Sequence, residues 1–295
     1  MSESISRFCF GCEALGGTDW GEVSLDEIER CINIAIANGV NFFDTAAIYG
    51  LGLSEERLAA ILGKRRSKMF IATKGGLVWS KSKNKRAKVW KDSSANSIRK
   101  GIIQSLKNLK LEYIPLFYIH WPDLETDFEE TFYTLRDLQK EGLIKYIGCS
   151  NFSKEELIKV SQFCKIDFLQ APFNFLIDHP KELFSYCRNN AIKFVAYNVL
   201  SSGLLTGKYN EDYIFDSNDR RSRLYSFKRE SILNSKRKLE SLKFKAKKHN
   251  LSMTQYSIKY ICDNENIFST ILGIKNVEQL KENIEVFKHC MMKEL

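Results

Sequence analysis

Val40-Asn41-Phe42-Phe43-Asp44 is a short apolar run that stops on a carboxylate. The same phrase recurs in Phe70-Ile71-Ala72-Thr73-Lys74, which stops on an ammonium, and in Leu116-Phe117-Tyr118-Ile119-His120, which stops on an imidazole. Short runs rich in aromatic and β-branched residues read as buried strands. Working outward, the sequence predicts strands at 8–11, 41–44, 70–74, 115–120, 146–150, 167–172, 193–197 and 269–272.

Stretches of helical period separate them. Ser24-x-x-Glu27 reads as a capping box for a helix that Gly39 ends. Ile98, Ile102, Leu106 and Leu109 form one apolar stripe, and Thr126 or Asp127 opens a helix that stops at Gly142. Ser153-x-x-Glu156 is a second capping box, and Asn276 caps a last helix carrying Val277, Leu280, Ile284 and Phe287. Eight unbroken strand–helix units predict an α/β fold, a closed (β/α)8 TIM barrel, as a single domain over residues 1–295. A doubly wound open sheet is the alternative, but its G-x-G-x-x-G fingerprint is absent.

The 295 residues, 44% of them hydrophobic, suffice for a large core, and only 4 Pro and 16 Gly argue against long disorder. No apolar run reaches the ~20 residues that span a bilayer, and the start lacks the pattern of a secretory signal. A cytoplasmic protein is expected. Eight cysteines, mostly in apolar runs, read as core residues of a reducing compartment. Cys9-Phe10-Gly11-Cys12 has no second pair or nearby His to complete a metal set, so no metal is expected. The net charge of +9 favours an anionic partner. Its densest part, Lys81-Ser-Lys-Asn-Lys-Arg-Ala-Lys88 with Lys91, reads as a solvated loop or as a lip for an anionic substrate. No basic helix interleaved with aromatics points to nucleic acid.

In such a barrel the active site lies where the strands end at their carboxyl side. Asp44, Lys74, His120, Ser150, Gln170 and Tyr197 all fall there, on six different strands, and Tyr49 follows Asp44 in the next loop. A phenol can protonate a carbonyl oxygen, and a nearby ammonium is expected to lower its pKa of about 10. Lys74 can supply the ammonium, Asp44 its counter-charge, and His120 a hydrogen bond that orients the carbonyl. Taken singly, each has a bland alternative: a turn cap, a core aromatic, a loop histidine. Together, on the strand ends of one barrel, they point to an enzyme.

The chain resembles an aldo-keto reductase from about Arg7 to Phe287. The residues that carry the resemblance are Phe10-Gly-Cys-Glu-Ala-Leu-Gly-Gly17, Gly39-Val-Asn-Phe-Phe-Asp-Thr-Ala-Ala-Ile-Tyr-Gly50, Ser54-Glu-Glu-Arg-Leu58, Ile71-Ala-Thr-Lys74 and Tyr118-Ile-His-Trp-Pro-Asp123. Gly148-Cys-Ser-Asn-Phe152, Ser202-Gly-Leu-Leu-Thr-Gly-Lys-Tyr209 and Glu278-Gln-Leu-Lys-Glu-Asn283 continue it. The resemblance implies reduction of an aldehyde or ketone, a sugar or sugar derivative included, with NADP(H) favoured over NAD(H). It implies Tyr49 as proton donor, supported by Asp44, Lys74 and His120.

It further implies that Ser150, Asn151 and Gln170 hold the nicotinamide carboxamide and that Tyr197 stacks under its ring. Leu200, Ser202, Gly203 and Lys208 match the loop at the pyrophosphate, and Arg221 the phosphate-binding arginine, with Arg223 the other candidate. Gly273, Lys275, Gln279 and Asn283 match the segment at the adenosine end, where Lys275 beside a helix N-terminus suits a 2′-phosphate. The family usually has Pro after the polar residue that follows the stacking aromatic. Here the run is Tyr197-Asn198-Val199-Leu200, which predicts a less rigid loop. The chain stops at Leu295, soon after the last helix, which predicts an open pocket bounded by Trp79, Trp121 and the basic loop. The alternative within the family is a cofactor-sensing subunit like the potassium-channel β subunits, which Leu272 to Asn283 resembles. Those proteins tend to lose the histidine that His120 keeps. The sequence leaves the oligomeric state open.

Overall fold

The computed structural model describes residues 4–17, 20, 23–80, 87–288 and 291–294. Eight parallel strands close into a barrel. They are β1 (Phe8–Gly11), β2 (Phe42–Asp44), β3 (Phe70–Gly75), β4 (Ile114–Ile119), β5 (Ile144–Ser150), β6 (Phe168–Pro172), β7 (Lys193–Tyr197) and β8 (Ile267–Gly273). Each pairs with the next in chain order, and β8 returns to β1 through Ile271 beside Cys9. All eight runs expected from the sequence are strands; two have the expected bounds and six differ by one or two residues at one end or both.

Side chains alternate along a strand, so one parity faces the barrel interior and the other faces the helices. Cys9, Phe42, Phe70, Ala72, Leu116, Tyr118, Phe168 and Val195 form one buried cluster inside the barrel. Their neighbours Phe8, Phe10, Phe43, Ile71, Phe117, Leu169 and Phe194 belong to a second, larger cluster under the helices. The next inward position after Phe42 is Asp44; after Ala72 it is Lys74; after Phe168, Gln170; after Val195, Tyr197. The interior is thus filled with apolar residues below and lined with polar ones at the carboxyl-terminal mouth.

The helical layer comprises α1 (Leu25–Ala37), α2 (Leu53–Leu62), α3 (Ala95–Leu109), α4 (Phe128–Lys140), α5 (Lys154–Val160), α6 (Lys181–Asn189), α7 (Arg229–Lys248), α8 (Met253–Cys262) and α9 (Val277–Phe287). Ser153 and Glu156 form the full capping box expected of them. Ser24 caps α1 by accepting from the Glu27 amide, and Asn276 caps α9 by accepting from the Gln279 amide. Asp127 stands at the start of α4 without a side-chain cap, and Thr126 donates instead to Asp123 at 2.8 Å. Sequence patterning missed a further box, Ser252 with Gln255, at the start of α8.

Two small ladders lie outside the barrel. Ser4–Ser6 runs antiparallel to Met292–Glu294, and Ile5 joins the interior cluster next to Cys9, closing the bottom of the barrel. Leu77–Trp79 runs antiparallel to Val89–Lys91 beyond the end of β3. Three-residue strands are too short for alternation to reveal. The second ladder frames the basic run; its residues 81–86 lie outside the described residues, while Lys91 donates to the Pro122 carbonyl at 2.7 Å.

The turn that presents Tyr49 is tightly constrained. Gly50, Leu51 and Gly52 have φ of 61°, 57° and 102°, three consecutive left-handed residues. The backbone of Gly50 also lies directly on Gly16, so that a Cβ on Gly50 would sit 2.3 Å from the Gly16 carbonyl oxygen. Gly50→Ala should therefore destabilise the fold by about 2–4 kcal/mol, the conformational penalty and the overlap adding together, as read by urea unfolding. A loss below about 0.5 kcal/mol would show that the two turns are not held against each other.

Candidate active site

Lys74 ends β3 on the interior face, with 1% of its surface exposed. An ammonium buried this deeply needs partners. Its Nζ donates to Asp44 Oδ1 at 2.5 Å and to the Thr45 carbonyl at 2.8 Å. The other Asp44 oxygen accepts from Gln170 Nε2 at 2.8 Å. Three strand ends, from β2, β3 and β6, are thereby tied into one polar knot.

Tyr49 and His120 lie against this knot. Lys74 Nζ is 5.0 Å from the centroid of the Tyr49 ring, and the Tyr49 and His120 rings meet edge to face at 5.9 Å. Both keep part of their surface open to solvent although protein surrounds them. The tetrad that the sequence singles out is brought together.

Its electrostatics differ from expectation in one respect. Burial pushes the Tyr49 phenol well above its ordinary value, aided by the charges of Glu13 and Asp44 and by Tyr197, against the pull of Arg220. The expected lowering does not prevail: burial is the largest influence on the phenol, and Lys74 is not among the charges that set its shift. Burial also pushes the Asp44 carboxyl up, against the pull of Lys74 and Gln170. Burial and the Lys74 charge push His120 well below its ordinary value. The resting site thus holds a protonated phenol beside a neutral imidazole. Such a pair can hydrogen-bond a carbonyl oxygen and protonate it as negative charge develops there.

The residues around the mouth were assigned by resemblance, and the structure places them unevenly. Asn151, left-handed at φ 65°, donates to the His120 carbonyl at 3.0 Å and to Ser150 Oγ at 3.1 Å, and accepts from the Tyr197 hydroxyl at 2.7 Å. Ser150, Asn151, Tyr197 and His120 are therefore one connected group. Gln170 is spent on Asp44. Leu200, Ser202 and Gly203 lie in the loop after β7, where Asn198, Ser201, Ser202 and Gly203 all have positive φ. Despite the missing Pro this loop is pinned: Asn198 Oδ1 accepts from the Ser202 amide at 2.9 Å, its carbonyl accepts from Asn174 at 3.0 Å, and Val199 is buried. Lys208 is exposed, and Gly273 borders open space at the end of β8.

Arg221 is bound within its own loop. Its Nε donates to Asp219 at 2.9 and 3.1 Å, Nη2 to the same carboxylate at 2.5 Å, and Nη1 to the Tyr209 hydroxyl at 2.8 Å. Lys275 Nζ donates to the Trp20 carbonyl at 2.5 Å, and the Lys275 amide donates to Gln279 Oε1 at 3.0 Å. Asn283 is buried, and its Oδ1 has no hydrogen-bond partner among the described residues; the same is true of His120 Nδ1. Two orphaned polar atoms, one at each end of the assigned surface, fit a bound polar group. Sequence reasoning left Glu13, Trp20 and Arg220 without a role, although each lies in or beside a motif it quoted. A groove of about 440 Å³ floored by Phe175 and Tyr260 shares no residue with this site. No group of three or more metal-ligating side chains occurs among the described residues.

A barrel whose mouth presents a phenol and an imidazole over a buried Lys–Asp pair is equipped for a carbonyl oxidoreductase. Comparison with known proteins agrees. The model of the Aldo/keto reductase family matches residues 7–294. Aldo-keto reductase YhdN of Bacillus subtilis is 30% identical over 288 residues, covering 95% of this chain and 85% of that protein. The NADH-specific methylglyoxal reductase of Escherichia coli is 30% identical over 295 residues, covering 95% of this chain and 89% of that protein. The solved glycerol dehydrogenase of Gluconobacter oxydans superposes with a TM-score of 0.87 at 32% identity, covering 96% of this chain and 86% of that one. The chain belongs to the aldo/keto reductase family, oxidoreductases that act on small carbonyl compounds with a nicotinamide cofactor.

The His120 shift sets a pH dependence. Unfolded, the imidazole takes up a proton near pH 6.5, while the folded one resists it. Its contribution to stability is therefore complete above about pH 6.5 and is lost as pH falls toward the folded value, by up to ~1.4 kcal/mol per pH unit. Urea midpoints measured from pH 7.5 to 5 should fall less steeply in His120→Asn than in the parent. Equal slopes would mean that the folded imidazole takes up its proton as readily as the unfolded one.

Proposed function

We propose that this protein is an NADP(H)-dependent reductase of aldehydes or ketones with Tyr49 as its general acid. One observation carries the reading: Lys74, fixed by Asp44 and the Thr45 carbonyl, stands 5.0 Å from the Tyr49 ring while His120 meets that ring on its edge. A bound nicotinamide supplies the hydride. As the carbonyl oxygen becomes an alkoxide it grows more basic than any phenolate, so the proton leaves Tyr49 only at that moment. The high pKa of the resting phenol keeps the proton in place until then. The phenolate left behind faces the ammonium of Lys74, whose field stabilises it. His120, neutral, orients the carbonyl by a hydrogen bond and adds no competing charge.

Ser150, Asn151 and Tyr197 would hold the nicotinamide end, and the loop of Leu200, Ser202 and Gly203 with the exposed Lys208 would lie along the phosphates. Asn283, with its orphaned oxygen, and Gln279 would meet the adenosine. Lys275 supports NADP(H) through the 2′-phosphate, Arg221 would serve as the phosphate-binding arginine, and the seven described cysteines, all buried, suit a reducing cytoplasm.

Tyr49→Phe should lower kcat by about 10²- to 10⁴-fold and leave cofactor binding intact, read by NADPH oxidation and by fluorescence titration. Full turnover in that variant would end the proposal. A parent that binds cofactor but reduces no carbonyl would favour a sensing subunit instead. In the same assays Lys275→Ala should raise KM for NADPH about tenfold and spare NADH, the equivalent of ~1.4 kcal/mol. An equal effect on both cofactors would remove Lys275 from the choice between them.

A further inference from the structure

A charged pair outside the tetrad, Glu13 with Arg220, is carried in part by the turn packed against the one that presents Tyr49. Glu13 opens the helical turn Glu13–Gly16, whose Gly16 lies backbone to backbone on Gly50. The turn that carries the carboxylate is therefore fastened to the turn that carries Tyr49. Arg220 comes from the loop after β7, and its Nη1 donates to Glu13 Oε1 at 2.5 Å. Its guanidinium also lies 5.1 Å from the Trp20 ring. The two side chains are 35% and 34% exposed, shielded yet open to a small molecule. Both charges act on the two phenols at the mouth: Glu13 raises the pKa of Tyr49 and of Tyr197, and Arg220 opposes it in each.

We propose that Glu13 and Arg220 form a substrate-recognition pair that selects neutral, hydroxylated carbonyl compounds; this rests on the reductase reading above. A carboxylate accepts a hydrogen bond from a hydroxyl, and a guanidinium donates one to a hydroxyl oxygen. A vicinal diol next to the reacting carbonyl satisfies both groups at once. An unsubstituted alkyl aldehyde satisfies neither, and desolvates part of the pair without return. An aldehyde that carries a carboxylate brings its charge against Glu13. The pair thus attracts one class of substrate and repels another, which is how specificity is usually built. The substrate preference set here at the mouth is the opposite of the anionic one suggested by the basic run.

Three aldehydes separate these cases: glyceraldehyde, propanal and succinic semialdehyde. Steady-state kcat/KM would be measured for each in the parent, Glu13→Gln and Glu13→Leu, with saturating cofactor and with cofactor varied. The parent should prefer glyceraldehyde to propanal. Glu13→Leu should lower that ratio at least about tenfold, mainly through KM for glyceraldehyde, as expected for loss of a hydrogen bond to a charged group. It should also raise succinic semialdehyde relative to propanal, because Arg220 is freed to meet the carboxylate. Glu13→Gln keeps an acceptor oxygen and the side-chain shape, and should keep part of the diol preference while gaining on the anion. Ratios unchanged in both variants would overturn the proposal. So would a rise in cofactor KM that is the same for all three aldehydes, which would make the pair a cofactor contact. A parent inactive on all three with either cofactor would overturn the reductase reading, and this inference with it.

Discussion

The constraint on which the structure turns is the ammonium of Lys74 held inside the barrel. Moving such a charge out of water costs several kcal/mol, and the cost is met only where partners are placed with good geometry. Here Asp44 and the Thr45 carbonyl take the ammonium, and Gln170 takes the remaining carboxylate oxygen. Those partners come from β2 and β6, so the strands must close in one register for the charge to be tolerated. Asp44 stands opposite Ala72, one inward step below Lys74, which is the offset that lets the two side chains meet. The chemistry and the topology are in this sense a single requirement.

The same low-dielectric surroundings act on the neighbouring groups in opposite directions. They push the phenol up and the imidazole down, so that both are neutral near pH 7. Of the two, only the imidazole also answers to the Lys74 charge; the phenol answers first to burial and then to Glu13 and Asp44.

Most of the fold was legible because it is written in period-two strands that end on polar residues. The run from Val40 to Asp44 shows it: Phe42 and Asp44 share a face, and that face is the barrel interior. The tetrad was legible for the same reason, since each member ends an inward-facing row or follows it by a few residues. What the sequence could not show lies in pairings across long separations. Glu13 with Arg220, and Lys275 with the Trp20 carbonyl, join residues more than 200 positions apart. The direction of the Tyr49 shift was equally invisible, because it depends first on how deeply the fold buries the phenol and then on Glu13, distant in sequence. Asn198 is the instructive local case. A missing Pro read as lost rigidity, but the Asn198 side chain accepts from the Ser202 amide within the loop, and Asn174, from the loop after β6, donates to the Asn198 carbonyl.

The distribution of sulfur bears on durability. Reactive carbonyl compounds are electrophiles that thiolates attack, and an oxidoreductase of carbonyl substrates meets such compounds in its work. Each of the seven described cysteines is buried, and burial drives the thiols of Cys9, Cys12, Cys31, Cys149, Cys164 and Cys187 upward, those of Cys31 to about 11 and of Cys164 and Cys187 to about 12. The thiolate, not the thiol, is the nucleophile. Packing that serves the core therefore also passivates these seven thiols against the electrophiles such an enzyme meets.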